Sequence, residues 1–314
     1  MKHFCKAVIL TIFISTAILA DEPIKPIPQH IGYNKEKAEL GKLLFLDPKL
    51  SSDGTVACVS CHSFDYGGAD PRPVSIGVRG LKGTANAPTV YNSYFNFRQF
   101  WNGRAKDLKD QANGPIHNPV EMDMMPEKIE KYLKSNEYYR SLFKKVFKSE
   151  PKYDNALDAI AEFEKALYTP NCKLDRYLRN ETKLSPKEAK GYRLFKMFGC
   201  ITCHNGINIG GNSFQKFGLI FSYDWKADFP DRYAITKKPQ DKNVYKVPTL
   251  RNIVLTAPYL HDGSATTLHE ALQKMSHHNL GFDLNKEEID ALMAFMNTLT
   301  GEEPEILRKD KKDY

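Results

Sequence analysis

The sequence lacks an apolar run of full membrane-spanning length. Its apolar run at residues 7–19 is shorter than the roughly 20 residues a bilayer requires, and it starts close to the N-terminus. Lys2 and Lys6 flank its start and Ala20 follows it, so residues 1–20 read as a secretory signal ahead of Asp21. An uncleaved N-terminal anchor is the other reading of this stretch. No lipobox surrounds Cys5, which argues against a lipid anchor there. Also lacking is a basic stripe interleaved with aromatics, so nucleic acid is not an expected partner. The formal charge of +7 falls to about +5 without Lys2 and Lys6, and the tail at residues 308–312 mixes Asp310 with its cations. Cysteine is scarce. Of six, Cys5 lies in the signal and four fall in the two motifs described next. Cys172 is left without a partner, which excludes a disulfide scaffold and predicts an unpaired, buried thiol.

What is present is a pentapeptide that occurs twice. Cys58-Val59-Ser60-Cys61-His62 recurs 142 residues later as Cys200-Ile201-Thr202-Cys203-His204. C-x-x-C-H is the attachment signature of a c-type haem. Two thiols three positions apart can each add to a vinyl group on one porphyrin edge, and the next histidine reaches the iron. A zinc ribbon built from both cysteine pairs fits poorly, because zinc has no need of a histidine after each pair. Two covalently attached haems are therefore expected. Cys58, Cys61, Cys200 and Cys203 are the attachment points, and His62 and His204 the proximal iron ligands. The haem propionates would nearly cancel the positive charge of the chain.

Each motif follows a helix-like segment. Residues 35–46 have helical spacing, with Leu40, Leu43 and Leu44 on one side. Ser185-Pro186 with Glu188 reads as an N-cap, a first-turn proline and a first-turn acid, and Tyr192, Leu194, Phe195 and Phe198 supply an apolar face. This weak internal repeat predicts a mainly α protein of two cytochrome c-like domains, residues 21–172 and 173–314, each with one haem. Thr169-Pro170-Asn171 marks the boundary. Further helices are expected at residues 127–134, 137–148, 155–168, 267–275 and 286–299, the last burying Ile289, Leu292, Met293 and Met296. Residues 67–88 and 205–258 read as loops. For the second iron, Met275 lies 71 residues past His204 and is an attractive distal ligand; His261, His277 and His278 compete, and core filling is the bland alternative. For the first iron, spacing indicates no ligand. Residues 101–125 carry Gln111, His117, Glu121, Met122, Met124 and Met125. Glu121 would suit proton transfer between the oxygens of a peroxide, although taken alone it reads first as a solvated loop residue.

The chain resembles the bacterial dihaem cytochrome c peroxidases over nearly all of its length after residue 20. Both haem motifs carry the resemblance, with Glu39-Leu40-Gly41-Lys42-Leu43-Leu44-Phe45 and Asn86-Ala87-Pro88-Thr89-Val90. So do Gln99-Phe100-Trp101-Asn102-Gly103-Arg104-Ala105, Gln111-Ala112-Asn113-Gly114-Pro115 and Val120-Glu121-Met122. His204-Asn205-Gly206-Ile207-Asn208, Leu250-Arg251-Asn252 and Thr256-Ala257-Pro258-Tyr259-Leu260-His261-Asp262-Gly263 complete it. The resemblance implies reduction of hydrogen peroxide in the periplasm, with electrons from a small soluble donor such as a monohaem cytochrome c. It implies a low-potential peroxidatic haem at His62 and a high-potential entry haem at His204, the latter with Met275 as distal ligand. Glu121 and Gln111 fall on the distal-pocket residues and Trp101 on the residue between the haems. Asn86, Thr256 and Pro258 fall on the ligands of an interdomain calcium ion, and a homodimer is compatible with the family. One departure stands out. Many members carry a histidine at the place of Val78, which caps the peroxidatic iron until the other haem is reduced. Valine cannot ligate, so the site is either always open or capped by another group, such as His117. The rivals are a non-catalytic dihaem electron carrier and an oxidase of a protein substrate; the latter, in related enzymes, has tyrosine at the place of Met275.

Overall fold

The structure is a computed structural model and describes residues 22–223 and 230–308. The signal reading at residues 1–20, and most of the basic tail, lie outside these residues. Among the described residues no helix is long and apolar enough to cross a membrane.

Local signals account for most of the helices. Asn34 caps α1 (Lys35–Leu46) by accepting from the Lys37 N–H. α2 (Leu108–His117) begins at Asp107 and contains Pro115 in its last turn. α3 (Pro126–Ser135), α4 (Glu137–Phe147) and α5 (Tyr153–Ala166) follow in succession. The short α6 (Lys173–Leu178) leads to α7 (Pro186–Met197), which starts with the expected capping box of Ser185 and Glu188. A hairpin of β1 (Phe214–Lys216) and β2 (Val244–Lys246) pairs Phe214 with Lys246, with α8 (Tyr233–Thr236) between its strands. α9 (Leu268–Met275) and α10 (Lys286–Asn297) close the chain.

Among the described residues there are two large apolar cores, with a small third cluster of Tyr259, Ala265 and Ala271. The first draws on residues between Ala38 and Leu167, and the second on residues between Cys172 and Leu299. Each is built on one helix pair, and the two pairs match. In the first, an alanine in place of Gly41 on α1 would set its Cβ 1.9 Å from the Ala159 carbonyl oxygen of α5. In the second, Gly191 on α7 meets the Ala291 carbonyl oxygen of α10 at the same 1.9 Å. Only glycine permits so close a backbone approach. An aromatic ring flanks each contact, Phe163 against Phe45 and Phe295 against Tyr192. The repeat visible in sequence is thus a repeat of packing. The chain ends cross over: Ile24 packs in the second core and Ile306 in the first, where the Lys42 ammonium donates to the Ile306 carbonyl at 2.7 Å.

Cys172 is buried, and among the described residues it forms no disulfide. It lies beside the ion pair of Asp175 and Arg251, both with fully buried side chains.

Candidate active site

Each C-x-x-C-H motif forms a short 3-10 turn, Cys58–Ser60 and Cys200–Thr202, at the wall of a cleft. His62 follows the first turn and His204 the second. Their Nδ1 atoms lie 3.1 Å from the Pro88 carbonyl oxygen and 3.4 Å from the Ile209 carbonyl oxygen. Donation from Nδ1 leaves Nε2 as the free lone pair of a neutral ring, the tautomer that ligates a metal. Burial lowers the pKa of both rings, that of His204 to about 4, so both stay uncharged at neutral pH. The donor chemistry fits a haem: two thiols on one wall of each cleft and one pre-oriented imidazole beside them.

The first cleft also holds Gln111, Glu121 and Trp101. Gln111 stands on α2. Glu121 follows that helix on a turn closed by Asn118, whose amide donates to the Glu121 carboxylate at 2.7 Å. Burial raises the Glu121 pKa, and the Asn118 hydrogen bond and the Arg104 charge pull it back down. Arg104 lines the same cleft, stacked over the Phe100 ring at 3.4 Å. Val78 does not line it. The Val78 N–H donates to the Glu121 carbonyl at 2.8 Å while its side chain is fully buried in the first core. The loop of Val78 thus braces the backbone of Glu121. His117 is not in the cleft either. It sits at the end of α2, with Nδ1 2.8 Å from the Asn113 carbonyl oxygen and its ring against Tyr153. Among the described residues His62 is the only histidine lining the first cleft.

The second cleft holds His204, Met275 and His261, together with Asn86, Thr256 and Pro258. Met275 ends α9, and a π turn over Ser276–Leu280 carries His277 and His278 out to exposed positions. Neither of these two histidines lines the cleft. Trp101 lines both clefts and donates its indole N–H to the Asn86 carbonyl at 3.0 Å. One aromatic side chain therefore forms part of the wall between the two sites.

The family model for di-haem cytochrome c peroxidase matches residues 35–183, and that for cytochrome c matches residues 188–300. The cytochrome c551 peroxidase of Nitrosomonas europaea is 48% identical over 296 residues, 93% of this chain and 89% of that protein. The chain belongs to the bacterial di-haem cytochrome c peroxidases. The cytochrome c peroxidase Ccp of Escherichia coli is 44% identical across 90% of this chain, which spans 62% of that longer protein. The crystal structure of a MauG-like protein associated with microbial copper homeostasis superposes with a TM-score of 0.80 at 30% identity, covering 91% of this chain and 95% of that one. Membership of this peroxidase family implies two c-type haems, one at each motif.

Sequence reasoning missed three charged residues of this peroxidase fold. Arg104 lay in a quoted motif but had no role assigned. Lys246 interrupts the short apolar run Tyr245-Lys246-Val247, and Glu164 sits on the apolar face of α5 with Ile160 and Phe163. A charge on an otherwise apolar face was the available signal. Glu164 lines the first cleft and its Oε2 is buried without a hydrogen-bond partner. Burial pushes its carboxyl up from 4.5 to about 8. The folded protein therefore keeps a proton that the unfolded chain releases, and stability falls as pH rises from about 4.5 towards 8, by about 1 kcal/mol per pH unit. Glu164→Gln is expected to flatten this slope when holoprotein stability is compared by urea unfolding at several pH values across that window. An unchanged slope would show that Glu164 is ionised in the folded state.

Proposed function

We propose that the protein reduces hydrogen peroxide to water in the periplasm with electrons from a small soluble donor, such as a monohaem cytochrome c. Electrons enter at the second cleft and cross to the first past Trp101. The observation that carries this reading is the convergence of Glu121, Gln111 and His62 in one cleft that shares Trp101 with the other. When bound, the haems supply the iron at which the O–O bond is cleaved and the two electrons that cleavage consumes. Glu121 would take a proton from one peroxide oxygen and return it to the other. Its raised pKa brings a carboxylate closer to neutrality, where it can serve as both base and acid. Gln111 orients the peroxide by hydrogen bonding, and Arg104 stabilises negative charge on the departing oxygen. In the second cleft His204 and Met275 would both hold the haem iron. Export through residues 1–20 accounts for the periplasmic setting.

Calcium binding is part of this proposal. Asn86, Thr256 and Pro258 share the second cleft, and the Asn86 amide nitrogen is engaged by the Arg72 and Asp70 carbonyls, which leaves Oδ1 for a cation. One amide and two main-chain carbonyl oxygens suit a hard ion. Among the described residues there is no cluster of three or more His, Cys, Asp or Glu side chains that would serve a different metal.

The absence of a capping histidine in the first cleft supports a reaction that needs no prior reduction. Steady-state peroxide turnover with a reduced cytochrome donor, with and without pre-reduction of the second haem, tests this. Equal initial rates are expected. Turnover only after pre-reduction would refute the open first site, and no turnover in either state would refute peroxide as substrate and favour the plain electron carrier. Met275 at the second cleft weighs against the protein-substrate oxidase, and a His/Met spectrum for that haem would exclude it.

A further inference from the structure

The two clefts differ sharply in fixed charge. Glu121, Glu164 and Arg104 line the first. Lys216 and Lys246 line the second, and among the described residues no Asp or Glu does. The two lysines are not equivalent. Lys216 is exposed at the hairpin edge, while Lys246 is only 6% exposed. Strand pairing puts it there: Lys246 faces Phe214 in register, and its N–H donates to the Trp101 carbonyl at 2.6 Å. No side chain among the described residues accepts from its ammonium, and no carboxylate offsets its burial, which alone lowers its pKa to about 8. A buried ammonium without an anion is costly, and its presence calls for a counter-ion supplied from the cleft itself.

We propose that Lys246 is the counter-ion of a propionate of the haem held in the second cleft, and that its buried charge raises the reduction potential of that haem. The inference rests on a haem being attached at Cys200 and Cys203. The ammonium pairs with the carboxylate in a site of low dielectric, so the pair is strong and little screened by salt. Ferrous haem carries one positive charge fewer at the iron than ferric haem. A cation fixed nearby therefore favours the reduced state. At the first cleft an ionised Glu121 acts in the opposite sense, while Glu164 stays protonated and adds no charge. Lys246 is a positioning and tuning residue: it touches the cofactor's edge and not the peroxide. Because its main chain is bonded to that of Trp101, it stands on the side of the cleft that faces the other haem.

The test is potentiometry of the purified holoprotein carrying Lys246→Gln or Lys246→Arg, with each haem followed by its own absorption bands. Lys246→Gln is expected to shift the ferric–ferrous equilibrium of the second haem about tenfold towards ferric, a fall of about 59 mV for a one-electron couple. The first haem and the His/Met spectrum should stay unchanged. Lys246→Arg should keep the wild-type midpoint. An unchanged second midpoint in Lys246→Gln, or an equal fall in both haems, would overturn the proposal. If Lys246→Gln yields no holoprotein, the arginine variant decides alone: a retained midpoint supports the ion pair, and a fall as large as that expected for glutamine overturns it. The measurement uses neither peroxide nor a donor protein, so its outcome stands apart from the turnover experiment.

Discussion

Replacing Glu121 by glutamine is expected to lower peroxide turnover by roughly 10²–10⁴-fold, the usual contribution of a positioned acid–base group, with both haems still attached. The amide keeps the shape and can still accept the hydrogen bond from Asn118 that holds Glu121 at 2.7 Å. It cannot take up and return a proton. The pH profile supplies a second readout. Burial is the largest influence on Glu121 and raises its pKa, so in the wild type the acid limb of kcat/KM should lie above the ordinary carboxylate range. As pH falls through that raised value the base is protonated and activity is lost. Glutamine should abolish this limb along with most of the rate. Full turnover in Glu121→Gln would remove Glu121 from the reaction and leave the cleft without a proton carrier of the right geometry.

Asp175→Ala is expected to lower the melting temperature by roughly 10 °C, corresponding to about 3–5 kcal/mol. The carboxylate of Asp175 meets the Arg251 guanidinium through two hydrogen bonds, of 2.9 and 3.1 Å, and both side chains are fully buried. The guanidinium also donates to the Ile207 carbonyl at 2.7 Å and the Lys25 carbonyl at 3.0 Å. One arginine thus ties together the segment at Lys25, α6, the segment after the second haem motif and the turn that carries Arg251 itself. Removing the carboxylate leaves a buried cation with only two carbonyl oxygens and the Cys172 sulfur as partners. The double change Asp175→Leu with Arg251→Met removes both charges and should cost much less, since the penalty lies in the unpaired ion more than in the lost pair. Thermal melts followed by the visible haem bands would measure both. Equal losses in the single and the double variant would show that packing, and not charge, dominates at this site.

The helices expected at residues 35–46, 127–134, 137–148, 267–275 and 286–299 are present within one or two residues of those bounds. Their apolar spacing and caps are local, and a local signal survives folding. The helix expected at 155–168 runs from Tyr153 to Ala166. α2 was not legible, because Asn113-Gly114-Pro115 reads as a turn; Pro115 has no N–H to donate to the Gln111 carbonyl, and the helix runs only two residues past it. The segment at 205–258 reads as loop and is mostly that, yet its six strand residues place Lys246 against Trp101. Nothing in a three-residue strand announces such a placement.

Haem attachment and the paired helical cores were determined by the sequence itself, since covalent attachment needs only two thiols and a histidine in one short turn, and helical period is written along the chain. What lines each cleft was decided by tertiary structure. Glu164 and Lys246 are ordinary charged residues until α5 and β2 carry them away from water. Val78 shows the same rule from the other side. Its identity told only that it cannot ligate iron, while its burial beneath the backbone of Glu121 makes it part of the support for the proton carrier. Burial, and with it the strength of every charge near the haems, depends on segments that meet across a hundred residues or more of chain, and no local pattern encodes that meeting.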